Sequence, residues 1–431
     1  MRTFPRALPS LLAAAVLAAG CRENPEAPAR GAAEPSAPTL RVMHDNVGAA
    51  LEVMRGLAAG FESETGAKVE FVITPNDGNE RLTQYLNFLG AKSPDVDVYM
   101  CDVVWTGMLG PHFADLEALR PALETETFPS VMANNTYDGK LVMAPYYVDA
   151  PVLYYRSDLL EKYGFEAPPK TWDELESMAR AIMEGERAAG SASFWGYVWQ
   201  GRSYEGLTCN MLEWQVSNGG APVLDGAGAV RVDEPALAEM LLRARGWVGT
   251  ISPPGVLSYG EEESRGVWQS GNAAFMRNWP YAYAPGQAEG SPVRGKFAVA
   301  PLPGGERSAG TLGGQMLAVS RHSRHTELAI QFVALAASLD AQKERALRGN
   351  YLATARSLYD DPEIAAAIPF FPEMRAIFEN AVPRPTTAAG RYYNELSSIY
   401  ASAGHAVLTG GAEPAEELPR AQADIEALLK R

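Results

Sequence analysis

The chain has 431 residues, of which 47% are hydrophobic and 21% charged; this is an ordinary soluble globular composition, too long for one core, so two lobes are expected. A formal charge of −15 and the absence of any Lys/Arg-rich run exclude nucleic acid as a partner, since its binding is led by basic clusters. Five His residues without paired spacing offer no metal site, and no cofactor is expected.

Residues 1–6 form a short basic leader, and 7–20 an apolar stretch too short to span a bilayer, so 1–20 reads as a signal peptide. The run Leu17-Ala18-Ala19-Gly20-Cys21 resembles the bacterial lipobox, which makes Cys21 the expected lipidated amino end. Removing 1–20 deletes two positive charges, Arg2 and Arg6, and takes the formal charge from −15 to −17. Residues 21–38, with Pro25, Pro28, Pro35 and Pro38 among Ala, Glu and Gly, cannot build a core and read as a flexible tether. Anchor and tether together describe an extracytoplasmic protein held at a membrane surface.

From there strands and helices alternate. Residues 39–43 read as a strand, and 49–65 as a helix with Leu51, Met54, Leu57, Ala58 and Phe61 on one face and Gly66 as its stop. A second strand covers 68–74 and a second helix 80–90. Residues 97–105 are almost continuously apolar, as in a buried parallel strand. This alternation predicts an α/β fold with right-handed crossovers, in which ligands bind beyond the carboxyl ends of strands. Asp102 and Trp105 sit at such an end.

Residues 144–155 form an extended, Tyr- and Val-rich run bracketed by Pro145 and Pro151. Asp149 lies within it, and a carboxylate there must be hydrogen-bonded or face a wet cleft. A short helix follows, with Asp158 as its expected N-cap and Gly164 as its stop. Thr171 with Glu174 three residues on predicts a capping box for the next helix. Further on, 193–204 holds five aromatics, helices are expected at 205–218, 234–248 and 261–270, and 271–280 runs from turn to strand. Residues 297–303 read as a strand closed by prolines, 311–320 as a loop and strand, and 326–339, 371–379 and 391–408 as helices. Chain crossings near 148, 302 and 339 divide the chain into a first lobe of 39–148 with 302–338 and a second of 149–301 with 339–431. Cys101 and Cys209 are expected as two buried free thiols, because a bridge between lobes would lock the cleft between them.

Eight runs, taken in order, resemble the family 1 extracellular sugar-binding proteins, the receptors of carbohydrate ABC importers, and within them the trehalose/maltose-binding branch. They are Phe194-Trp-Gly-Tyr-Val-Trp-Gln-Gly201, Tyr204-Glu-Gly-Leu207, Ser217-Asn-Gly-Gly220, Gly271-Asn-Ala-Ala-Phe275, Arg277-Asn-Trp-Pro-Tyr281, Ala300-Pro-Leu-Pro303, Thr311-Leu-Gly-Gly314 and Glu379-Asn-Ala-Val-Pro-Arg-Pro385. The resemblance implies a two-lobed periplasmic-binding-protein fold, type II-like, with a hinge between the lobes. It implies a monomer that captures a disaccharide and delivers it to membrane permease subunits, without catalysis. Asp102 and Asp149 would accept sugar hydroxyls with Tyr147 beside them, Trp279 would stack on a pyranose face, and Arg384 would donate a forked pair of hydrogen bonds. Gly313 and Gly314 would present backbone amides; Asp77 and Arg81 are weaker candidates. Eight Trp and eighteen Tyr exceed what a core is expected to need, which suits aromatic stacking on sugars.

Two departures stand out. Gln315 replaces the Trp that close relatives carry after the double glycine. Ala49-Ala50 falls where they place a carboxylate, with His44, Asp45 and Asn46 slightly earlier. Two other readings are compatible with the residues. One is a glycan-active enzyme using Asp102 and Asp149, against which stands the expectation that each belongs to a different lobe. The other is a receptor for a non-sugar solute such as a polyamine or metal chelate.

Overall fold

The computed structural model describes residues 37–431 apart from 48 and 380. The leader, Cys21 and the tether up to residue 36 lie outside the described residues. The first sheet opens with β1 (Thr39–His44), β2 (Lys68–Ile73) and β3 (Val98–Asp102), all parallel. A small hairpin of β4 (Thr136–Tyr137) and β5 (Lys140–Leu141) precedes β6 (Ala144–Asp149). The second sheet collects β7 (Val152–Tyr155), β8 (Trp195–Val198), β9 (Ala273–Asn278) and β10 (Ala298–Ala300), in the order β10-β7-β9-β8. The chain then returns to the first sheet as β11 (Gly313–Val319), which inserts between β3 and β6 and gives the order β2-β1-β3-β11-β6.

The local rules account for most of these elements. The Ala50–Thr65 helix buries Leu51, Met54, Ala58 and Phe61 and ends at Gly66, whose φ of 73° suits a residue without a Cβ. Thr171 and Glu174 form the expected capping box of the Trp172–Ala188 helix. Pro145 is tolerated because β6 is the edge of its sheet. The chain passes between sheets at Ala150-Pro151, where proline has no ladder donor to offer.

Four expectations are corrected. The third strand stops at Asp102, because that side chain accepts from the Val104 amide (3.1 Å) and turns 103–105 into a 3-10 turn. Asp158 is not an N-cap: it lies in the first turn of the Ser157–Lys162 helix, and both its oxygens are held by Arg156 at 2.7 and 2.6 Å. The boundary at 339 is displaced, since the Leu339–Gly349 helix packs on the helices Ala50–Thr65 and Thr326–Ala337 of the first sheet. Its buried Arg345 donates to the carbonyl of Tyr146 in β6 (2.7 Å) and lies over the Tyr146 ring. The helices Tyr393–Leu408 and Pro414–Leu429 pack instead on those of the second sheet, so this crossing falls after 349.

The fourth correction concerns the aromatics. Trp172, Trp199, Trp214, Trp247 and Trp268 are all buried in the second lobe's core, where Trp199 and Trp214 meet edge to face at 5.1 Å. Trp172 and Trp199 satisfy their indole N–H groups on Ser217 and Ser252. The surplus of tryptophan is therefore core. Cys101 and Cys209 are both free and buried, and burial pushes each thiol's pKa up.

Candidate functional site

The carboxyl ends of β3 and β6 flank the start of β11. Asp102 stands opposite Gln315, and Asp149 stands opposite Gly313, two residues away on the same face of β11. Both carboxylates therefore belong to one sheet, which corrects the expectation of one on each lobe.

Their surroundings differ. Asp102 Oδ1 accepts from the Val104 amide (3.1 Å) and from Arg384 Nη2 (3.2 Å). Asp149 is 9% exposed and its Oδ1 has no partner; burial, with the Asp102 charge adding to it, raises its pKa well above the usual carboxylate range. Gln315 Oε1 is likewise buried without a partner. Two acceptor atoms thus remain unsatisfied at the head of β11, an arrangement that costs free energy until a donor arrives.

Arg384 is placed differently from the sequence expectation. Its Nη1 donates to Glu205 Oε1 (2.7 Å) and its Nη2 to Asp102, so both guanidinium tips are engaged within the protein, while its Nε is buried without a partner. Glu205, in the first turn of the Glu205–Ser217 helix, also accepts from Ser397 Oγ (2.6 Å) and from the Tyr393 hydroxyl. Arg81 is buried, pairs with Asp45, and has its guanidinium 5.3 Å from the Trp105 ring centre. Asp77 caps the Gly78–Gly90 helix through Oδ1, which accepts from the amides of Asn79 (2.9 Å) and Glu80 (3.2 Å). Its Oδ2 accepts from Arg202 Nη2 at 2.7 Å.

The opposing wall comes from the second sheet. Trp279 follows β9; one face of its indole lies under the Arg277 guanidinium at 4.4 Å, so a ligand can meet only the other. Arg277 is fixed by a buried ion pair with Glu213 and by Gln200 Oε1 (3.0 Å). Glu261 accepts from the Tyr204 hydroxyl (2.6 Å) and from Trp279 Nε1 (3.4 Å), tying two aromatics to one carboxylate. A Cβ at Gly313 would stand 2.9 Å from the Trp279 ring, and one at Gly314 2.5 Å from the Tyr147 carbonyl, where φ is also 131°. The glycines are thus needed for close approach between strand, ring and neighbouring backbone.

These groups line a cavity of about 340 Å³ that opens to solvent. All ten residues expected to bind a ligand line it: Asp77, Arg81, Asp102, Tyr147 and Asp149, and also Trp279, Gly313, Gly314, Gln315 and Arg384. It is lined as well by Arg202, Tyr204, Glu205, Glu261 and Tyr351, which sequence reasoning gave no role, and by Asp45, noted there only as a polar residue ahead of Ala49-Ala50. Asp45 was findable as the residue directly after a parallel strand; Glu205 and Glu261 begin helices, a position that by itself says only that a carboxylate suits the helix dipole. Among the described residues no group of three or more His, Cys, Asp or Glu is placed to hold a metal ion.

Two lobes joined by crossing strands, with one polar and aromatic cleft between them, define a solute-binding receptor. Residues 47–343 match the family of bacterial extracellular solute-binding proteins, and the chain belongs to it. A Deinococcus radiodurans protein described as a probable ABC transporter-binding protein is 45% identical over 403 residues, which is 93% of this chain and 96% of the relative. Maltose-bound MalE3 of T. maritima superposes with a TM-score of 0.86 at 36% identity, over 91% of this chain and all of that one. An ABC transporter solute-binding protein of Agrobacterium radiobacter K84, in complex with ribitol, gives 0.79 at 25% identity, over 92% of this chain and all of that one. The family and these neighbours are binding proteins, not enzymes, so the paired carboxylates Asp102 and Asp149 are not a catalytic dyad.

Proposed function

We propose that this chain is the sugar receptor of a carbohydrate ABC importer. It captures a disaccharide of the trehalose, maltose or sucrose kind between its lobes and delivers it, as a monomer, to membrane permease subunits. The reading is carried by the unpartnered Asp149 Oδ1 and Gln315 Oε1 beside the Trp279 ring, in a cleft where every lining arginine is already held by a carboxylate. Such a site suits neutral polyhydroxyl ligands, which bring donors for lone acceptors and C–H faces for an indole, while an anion finds no free cation among the described lining residues. Asp149 and Gln315 accept from ring hydroxyls and Trp279 stacks on a pyranose face. Asp102 and Arg384 hold this arrangement from one side, with Tyr147, Gly313 and Gly314 shaping the wall. Maltose on MalE3 and ribitol on the Agrobacterium protein support polyol chemistry in this fold. The Cys21 lipid anchor and the 21–38 tether would keep the receptor at a membrane surface outside the cytoplasm, in the periplasm or on the outer cell surface, within reach of its permease. The closed form is favoured by a ligand that both lobes touch only when closed.

Isothermal titration of residues 39–431 with trehalose, maltose, sucrose and glucose, followed by product analysis, tests this. Micromolar or tighter binding of one disaccharide without cleavage is expected. No binding to any of the four would overturn it.

A further inference from the structure

The cleft's charged pairs fall into a deep set and a rim set. Arg384 has a side chain only 3% exposed, whereas the Asp77 and Arg202 side chains are 20% and 42% exposed and stand where the cavity meets solvent. Asp77 begins a helix on the first sheet; Arg202 follows β8 of the second. Their 2.7 Å ion pair therefore bridges the two lobes across the cavity mouth. Both partners are held in advance: Asp77 Oδ1 by two helix amides, and the Arg202 guanidinium by the Tyr204 ring at 4.4 Å. The cavity of about 340 Å³, which is open to solvent on one side, lies at the small end of the roughly 300–1,000 Å³ usual for ligand sites.

From this we propose that Asp77 and Arg202 form a gate that sets the length of saccharide the receptor accepts. When the pair is made, a ligand of disaccharide size is enclosed at both ends, and a longer glycan must hold the pair apart and leave both charges without their partner. An exposed pair of this kind is weak and screened by salt, so it discriminates by length without trapping the bound ligand. The inference rests on the saccharide reading above and goes beyond it by naming the residues that fix ligand size.

The test is titration of the protein, of Arg202→Ala and of Asp77→Asn with trehalose and with the series from glucose to maltotetraose. Asn at 77 keeps the helix-capping acceptor and removes the charge together with the Oδ2 acceptor of Arg202. The unmodified protein is expected to bind its best disaccharide about tenfold tighter than maltotetraose, and both variants to narrow that ratio about threefold. About 0.5 M NaCl should narrow it in the unmodified protein and leave the variants' ratios unmoved. Equal binding of disaccharide and maltotetraose by the unmodified protein, or an unchanged ratio in both variants, would overturn the gate while leaving the sugar receptor intact. Absence of binding by every saccharide would remove the receptor reading and the gate with it.

Discussion

The two walls of the cleft are built on different principles. On the first-sheet wall, strand ends bring Asp149 and Gln315 to the cavity with acceptor atoms unsatisfied, and their positions are set by backbone register. On the second-sheet wall, side chains are bonded to one another: Glu261 to Tyr204 and Trp279, Glu213 to Arg277, and Arg277 against the indole. The first wall offers hydrogen-bonding capacity, and the second offers a rigid apolar face. A solute that needs both is held fully only when the walls approach each other, which is how a ligand comes to select the closed form.

Substitutions on each wall should separate these roles. The largest effect is expected behind the second wall, where Glu213→Ala leaves the buried Arg277 charge unpaired; urea unfolding should show a loss of about 3–5 kcal/mol. Trp279→Ala removes the face itself; titration should show more than tenfold weaker sugar binding, about 2 kcal/mol, with the unfolding midpoint close to that of the parent. On the first wall, Asp149→Asn should weaken binding about tenfold without loss of stability, since it replaces a buried carboxyl whose Oδ1 has no partner with an uncharged amide. The smallest effect belongs to Gln315→Ala, a few-fold loss of affinity of about 1 kcal/mol, because the acceptor it removes is neutral.

A pH series sharpens the contrast. Burial raises the Asp149 pKa in the folded state, so between the ordinary value of 3.8 and that raised value the folded chain holds a proton that the unfolded chain has released. Its contribution to stability is therefore present at low pH and declines as pH rises above about 4. Denaturant unfolding should show this decline in the parent and a flatter profile in Asp149→Asn, whereas Gln315→Ala should follow the parent. Identical pH profiles for the parent and Asp149→Asn would show that Asp149 has its ordinary acidity.

The alternation of strands and helices and the gathering of strand-end residues into one cleft were legible because register and carboxyl-end placement are local consequences of sequence. Partnership was not legible. Nothing in the spacing of Asp102, Glu205 and Arg384 shows that the arginine fork is consumed by the two carboxylates, since the three meet only through tertiary packing. The tryptophans misled for a related reason: their number looked like more than a core needs, yet Ser217 and Ser252, far away in the chain, are the partners that let Trp172 and Trp199 be buried. The boundary at 339 failed because a polar-looking helix buries Arg345 against β6, and its amphipathic pattern does not reveal which sheet it will cover.

The position of β11 has a consequence for how the chain is made. It fills the gap between β3 and β6 but is synthesised only after the whole second sheet. Until residue 319 emerges, the first sheet exists as two separate pieces with two naked edges, each open to pairing with a stranger. Closing it requires a late, long-range contact, so the first lobe cannot mature ahead of the second as a vectorially folded unit. A fragment ending at the first crossing would expose those edges permanently and aggregate, whereas a nascent chain held extended until its last third arrives can assemble both lobes together.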